Sequence, residues 1–543
     1  MKKTTLILAL WTLICCLQAC KQKAIESATS EVTTEVVDAS SAAVCYELQP
    51  QQVVLDKNSS GSYNVNETAK EEYNTEAYDH IVENEFKEAT KNPLSTFSID
   101  VDKAAYANVR RFITQNQLPP NGAVRLEEMI NYFDYNYPQP TNEQPFSINI
   151  EYGTCPWNTA HQLVLIGLQG KEFKQENTPP FNLTFLLDVS GSMNEPNKLP
   201  LVKESMKLLI DKMRAEDYIS LVVYAGSSGL VLKPTNGKNK DKIYEALDNL
   251  EAGGSTAGGE GILLAYKTAK ENFDKKKINR VILATDGDFN VGASSDDALV
   301  SIIEKERESG VYLTVLGFGT GNYKDAKMEK LADKGNGNYA YIDNLLEAKK
   351  SLVKEMGGTL QTIAKDVKIQ VEFNPAKVKG YRLIGYENRV LNNEDFNDDT
   401  KDAGELGAGH TVTALYEIIP AGSKEKLSKT DELKYQKTDM QPTALNTNEL
   451  MTVKFRYKKP NENNSKLLEH IVNVNEFNRT ISNNFKWASV VAQFGLVLRD
   501  SKFKGNANYK DLLVQAKIAK SNDYEGYRSE MIQLIEKADL LKK

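Results

Sequence analysis

Residues 181–193, FNLTFLLDVSGSM, decide the fold of this chain. Phe181–Leu187 is nearly continuous in apolar residues, as a strand buried on both faces must be, and it breaks at Asp188 into alternating polar positions: Asp188, Ser190 and Ser192. Outward from there to about Gly358, short apolar runs recur in DYISLVVYAG, NRVILATD, GVYLTVLGFG and GNYAYID, separated by stretches of helical spacing. Strands alternating with helices specify a mostly parallel α/β sheet, and right-handed crossovers make it doubly wound. GLVLKPT, after the second run, predicts a short antiparallel edge strand.

The flanks have a different rhythm. Before residue 181, NTEAYDHIVENEFKEA, KAAYANVRRFITQ and VRLEEMINYF have helical spacing, whereas STFSIDVD, FSINIEYGTCPW and HQLVLIGLQGKEF alternate at period two. After residue 358, DVKIQVEF, TVTALYEII and LMTVKFRY alternate again, and the chain ends in helical patterns. The expected organisation is therefore an N-terminal α+β flank over 74–180, the α/β unit over 181–358, a β-rich flank over 359–475 and a helical region over 476–543. The two flanks are expected to pack together, with the α/β unit inserted between them.

Residues 1–19 read as a secretory signal, with Lys2 and Lys3 before an apolar run that is short for a membrane span. LQAC, ending at Cys20, resembles a bacterial lipobox, which implies cleavage before Cys20 and lipidation of its sulfur, with palmitate-type chains holding the protein on a membrane. Residues 20–73, rich in Ser, Thr, Glu and Gln, read as a flexible tether. Lys21 is not the aspartate associated with inner-membrane retention, so the expected location is the cell envelope at the outer membrane, on either face. Cys45 and Cys155 are the remaining cysteines of the processed chain, and the sequence leaves their pairing open. A formal charge of −7, with no basic stretch interleaved with aromatics, argues against nucleic acid.

In a doubly wound sheet, ligands meet the loops beyond the carboxyl ends of the strands. Three such loops carry chemistry here: Asp188, Ser190 and Ser192; Thr256 within GGSTAGGEG; and Asp286 in LATDGD. All their donors are hard oxygens, which favour Mg2+, with Mn2+ or Ca2+ as alternatives, over zinc. The blander alternative makes Ser190 and Ser192 caps of the helix in KLPLVKESMKLLIDKM, Thr256 a cap of the next helix and Asp286 a turn residue.

DVSGSM, GGSTAGGEG and ATDGD together resemble the metal-ion-dependent adhesion site of von Willebrand factor type A (VWA) domains. The resemblance implies that Asp188, Ser190, Ser192, Thr256 and Asp286 hold one divalent cation, partly through water, with a partner's Asp or Glu completing its shell. The flanks, including NPLSTFSIDVDKAAYANVRRFITQ and AKDVKIQVEFNPAKVKGYRLIGYENR, resemble YfbK-like bacterial lipoproteins.

Other motifs carry less. GFGTGN lacks dinucleotide spacing, and GGSTAGGEG lacks the Gly-Lys-Ser/Thr of a phosphate loop, so no nucleotide is expected. Asp100 and Asp102 in SIDVD read as a solvent-facing strand edge, and DFNDDTKDAGE as a solvated loop. The four histidines share no zinc spacing. The expected function is metal-dependent recognition of a protein partner, without catalysis. A structural scaffold whose metal only stabilises the VWA domain is the alternative, and metal-dependent hydrolysis ranks third because no general base can be named.

Overall fold

The computed structural model describes residues 75–542 apart from 142, 174–177, 255–257, 288–295, 356–360, 428–439 and 480. The expected signal peptide (1–19), Cys20, Cys45 and the whole of the expected tether (20–73) lie outside the described residues. Strands β1 (Lys87–Glu88), β2 (Leu94–Ser98), β3 (Phe146–Thr154) and β4 (Gln162–Gly170) precede the central unit. That unit contains β5 (Phe181–Asp188), β6 (Tyr218–Tyr224), β7 (Ser228–Asn236), β8 (Ile278–Thr285), β9 (Tyr312–Phe318) and β10 (Tyr339–Ile342). After it come β11 (Thr362–Phe373), β12 (Val378–Ile384), β13 (Val390–Leu391), β14 (Gly404–Gly407), β15 (Thr411–Pro420), β16 (Glu449–Lys458) and β17 (Lys466–Asn473).

The central sheet has the order β10-β9-β8-β5-β6-β7. It is parallel throughout except for β7, which pairs antiparallel with β6 at the edge, as the sequence predicts. Leu183, Phe185 and Leu187 enter one core, shared with helix Leu199–Lys212, and Leu186 enters the other, shared with helix Gly258–Glu271. Burial on both faces explains why this strand is apolar nearly without interruption. From β5 the chain steps outward to β6 and then crosses back to β8, so the strand order reverses around β5.

Two further sheets, β1-β12-β15-β4-β3 and β13-β2-β11-β16-β17, form a sandwich, and each mixes strands from before and after the central unit. Between them lies a core that includes Phe97, Ile166, Val371, Tyr416 and Val453. The flanks thus do pack together, through shared sheets rather than as neighbouring modules. Strand β4 is not half-exposed as its alternation suggests. Val164, Ile166 and Leu168 face the sandwich, while Leu163 and Leu165 face a second core built with helices Ala104–Thr114, Asn483–Leu498 and Tyr527–Leu541.

Helical spacing in NTEAYDHIVENEFKEA does not produce a helix. Residues 78–86 have no regular structure, and Ala77 bridges to Lys324. Tertiary partners hold the segment: Glu76 pairs with Arg111 at 2.8 Å, and the Asn84 amide donates to the carbonyls of Leu383 and Gly385. Packing outweighs a propensity worth only tenths of a kcal/mol per residue.

The carboxylate pair in SIDVD is also corrected. Asp102 is buried, accepts a hydrogen bond from the Tyr339 amide at 2.7 Å and faces Arg389 at 3.3 Å. It belongs to an ionic junction joining both flanks to the central unit. There Arg389 also meets Asp100, Glu329 and Asp333, and Arg125 meets Glu128 and Asp325. Six carboxylates thus surround two guanidinium groups.

Burial pushes Asp325 up to about 6 and Asp333 up to about 7, against the pull of Arg125 and Arg389 respectively. A carboxyl raised in this way keeps its proton in the fold after the unfolded chain has released it, so stability falls as pH rises through that window. The melting temperature is expected to decline from about pH 4, where the unfolded chain releases these protons, through about pH 7, where the folded protein does. Asp333→Asn should flatten the decline, and an unchanged pH profile in that variant would show that the junction is not its source.

Candidate metal centre

Asp188 ends β5, and its orientation is set from three elements. The Ser190 amide donates to Oδ1 at 3.0 Å, while the hydroxyls of Tyr224, at the end of β6, and Thr285, at the end of β8, donate to Oδ2 at 2.9 and 3.1 Å. Burial raises its pKa, the Ser190 hydrogen bonds oppose this, and the charge of Asp286 raises it further. Past Asp188 the chain turns so that the hydroxyl oxygens of Ser190 and Ser192 lie 3.1 Å apart, the first buried and the second exposed.

Asp286 stands one residue beyond β8 and is fully buried. Burial raises its pKa, but donors from Asn322, Lys198 and Ser192 outweigh it and hold the carboxyl below its usual range. Gly287 follows at φ +100, and a Cβ there would meet the Lys324 amide nitrogen at 2.6 Å, so the turn that presents Asp286 requires glycine. Gly287→Ala should lower stability by about 2 kcal/mol or more, read as a drop in urea midpoint.

Asp188, Ser190, Ser192 and Asp286 are thus contiguous. Thr256 lies outside the described residues, but its loop is tied to the same place: the Gly253 amide donates to the Val189 carbonyl at 2.8 Å, and the Gly191 amide to the Gly254 carbonyl at 3.0 Å. The capping alternative for the two serines fails, because helix Leu199–Lys212 begins behind Lys198 with no side-chain cap, and the short turn Gly191–Asn194 has none either.

Sequence reasoning missed Lys198. Its ammonium reaches Asp286 Oδ2 at 3.0 Å and Asn322 Oδ1 at 3.4 Å, and its side chain is only 8% exposed. A Cβ at Gly319 would stand 2.5 Å from Lys198 Cε, so that glycine clears the path of the stem. A signal was present: a lysine directly before a Leu-Pro helix start sits at the end of the helix dipole that disfavours cations, which asks for a compensating acid.

The donor set fits a hard divalent cation. Two buried carboxylates face one another with two hydroxyls at their rim, and the donors behind Asp188 orient it as outer partners orient metal ligands. A second group, Asp102, Glu128 and Glu329, brings ligand atoms within 4.8 Å of one another, but Arg125 and Arg389 already neutralise it as part of the ionic junction.

A doubly wound sheet with hydroxyls and carboxylates gathered where the strand order reverses is the architecture of a VWA domain, and comparison with known proteins agrees. The family model "von Willebrand factor type A domain" matches residues 182–355, "von Willebrand factor" matches 72–165, and "Uncharacterized protein YfbK, C-terminal" matches 358–541. YfbK of Escherichia coli (strain K12) is 43% identical over 475 residues, covering 86% of this chain and 81% of that protein. Inter-alpha-trypsin inhibitor heavy chain H3 of Homo sapiens is 27% identical over 174 residues, 30% of this chain and 19% of that one. Among solved structures, a von Willebrand factor type A protein from Catenulispora acidiphila aligns at TM-score 0.40 and 15% identity, over 74% of this chain and 91% of its own. The chain belongs to the YfbK-like family of VWA proteins. Domains of this type serve protein–protein interaction or adhesion and often bind a divalent metal. Among the described residues no helix is long and apolar enough to cross a membrane.

Proposed function

We propose that this chain is a lipid-anchored protein of the bacterial envelope that binds one divalent cation, Mg2+, through Asp188, Ser190, Ser192, Thr256 and Asp286, and uses it to hold a protein partner. The observation that carries this reading is the contiguity of Asp188, Ser190, Ser192 and Asp286 at the carboxyl end of the parallel sheet, with Ser192 open to solvent. A bound cation would act there as a Lewis acid toward an Asp or Glu carboxylate of the partner. The protein's own residues orient the donors, exclude water from beneath Asp188 and keep Asp286 ionised.

Lipidation of Cys20 would leave residues 20–73 as the tether between the membrane and the folded body. Metabolic labelling with an alkynyl fatty acid, lost in Cys20→Ser, tests the anchor. Membrane fractionation places it at the outer or inner membrane.

The recognition reading is tested by affinity capture from envelope extract with and without chelator, in parallel with Asp188→Ala. Capture of one specific protein that needs both the metal and Asp188 is the expected result. Capture indifferent to both would sink the reading. A large loss of thermal stability on chelation with the partner retained would assign the metal a structural role.

A further inference from the structure

The other end of the central sheet holds a cavity of about 320 Å3 between the amino ends of its strands and the sandwich. Its size is at the low end of the roughly 300–1,000 Å3 typical of ligand pockets, suiting a small metabolite better than a peptide chain. Arg280, the third residue of β8, lines it. Six residues of strand separate Arg280 from Asp286, roughly 20 Å at about 3.3 Å per residue, so this cavity is distinct from the metal centre.

Most charges around the cavity are paired. Lys334 meets Glu304 at 2.9 Å, Asp402 meets Arg307 at 2.8 Å, Lys401 approaches Asp395 at 3.9 Å, and Arg389 serves the ionic junction. His410, pushed down to about 4 by burial, adds no charge at neutral pH.

Arg280 is different. It is 2% exposed, yet among the described residues no carboxylate comes within ion-pair distance of it. Nη1 donates to the Thr314 hydroxyl at 2.8 Å and to Asn338 Oδ1 at 3.4 Å, and Nε has no acceptor among the described residues. A buried guanidinium with neutral partners alone bears a desolvation cost that an anion would offset.

Glu405 is its counterpart. It lines the same cavity, and its one described polar partner is the Thr362 hydroxyl at 2.8 Å. Burial raises the Glu405 carboxyl and lowers Arg280, and each only partly stabilises the other's charge across the gap between them. The cavity therefore presents one under-compensated cation and one under-compensated anion that do not touch, with the amides of Asn336, Asn338 and Asn388 around them.

We propose that this cavity binds a small zwitterion of the α-amino-acid class, its carboxylate on Arg280 and its ammonium on Glu405. A simple anion would satisfy Arg280 but leave Glu405 uncompensated, and a phosphate dianion would meet the surrounding acids Asp100, Asp333 and Asp402.

The test is isothermal titration calorimetry of the full chain with the twenty standard amino acids, and with acetate and methylamine as probes carrying one charge each. At least one amino acid should bind, with acetate and methylamine weaker by about tenfold or more. Glu405→Gln and Arg280→Met should each weaken that amino acid by a similar or larger factor, and chelator should leave binding unchanged. Glu405→Gln is nearly isosteric, and its thermal unfolding curve reports whether it has folded. Failure of every amino acid to bind below about 10 mM would overturn the proposal. So would acetate binding as tightly as the amino acid, or an affinity unaltered in folded Glu405→Gln.

Discussion

Arg389→Met is expected to lower the unfolding free energy by about 3–5 kcal/mol, the range for removing one partner from a buried ion pair. Arg389 meets Asp100 at 3.2 Å, Asp102 at 3.3 Å and Glu329 at 3.1 Å, and also Asp333, with its own side chain 11% exposed. Methionine roughly preserves the apolar stem but leaves these four carboxylates with Arg125 as the nearest remaining guanidinium of the junction. Because Arg389 follows β12, Asp102 follows β2 and Glu329 lies on helix Asp325–Lys334, the damage falls where both flanks meet the central unit. Urea unfolding followed by fluorescence of Trp157 and Trp487, both buried in the flank core, reads it. The loss should shrink at pH 5, where Asp333, raised to about 7, is protonated and no longer needs the Arg389 guanidinium. A loss under about 1 kcal/mol at pH 8 would mean that the junction relaxes by taking up protons or water, and does not hold the molecule together.

The second large effect concerns the proposed metal site, where two substitutions should act with opposite signs. Asp286→Ala removes one of two carboxylates and leaves the Lys198 ammonium without its acidic partner, so Mn2+ affinity measured by electron paramagnetic resonance should fall by about a hundredfold or more. Lys198→Met removes a tethered positive charge 3.0 Å from Asp286 Oδ2, while Asn322 still donates to that oxygen at 3.0 Å and keeps it in place. Affinity should then rise by about tenfold, and the gain should diminish with added salt less than a surface effect would, because the pair is buried. A fall in affinity in Lys198→Met would show that the ammonium supports the donor set by orienting it and does not compete with the ion. An undisturbed affinity in Asp286→Ala would remove this carboxylate from the site altogether.

Legibility in the sequence followed the range of the interactions. The central strands could be read because burial on both faces demands apolar residues at every position, a local signature in Phe181–Leu187. Asp188, Ser190 and Ser192 could be read because a break in such a run marks a strand end, and Asp286 because its strand ends in the same way. Lys198 escaped because its partner is 88 residues away and lysines on helix starts are ordinarily solvated. Asp102 escaped because alternation reports a strand face but not what covers it. The extended course of residues 78–86 escaped because helical spacing there is outweighed by ties to Arg111, Leu383 and Gly385.

Local sequence thus specified the element types of the central unit, its parallel core and the loops that carry oxygen donors, since each is written in a window of ten or fifteen residues as period, polarity and glycine placement. Folding alone brings both flanks into two shared sheets, six carboxylates onto Arg125 and Arg389, and Arg280 and Glu405 to one cavity. Those facts depend on which residues, hundreds of positions apart, are excluded from water together, and buried charges acquire their partners only through that exclusion.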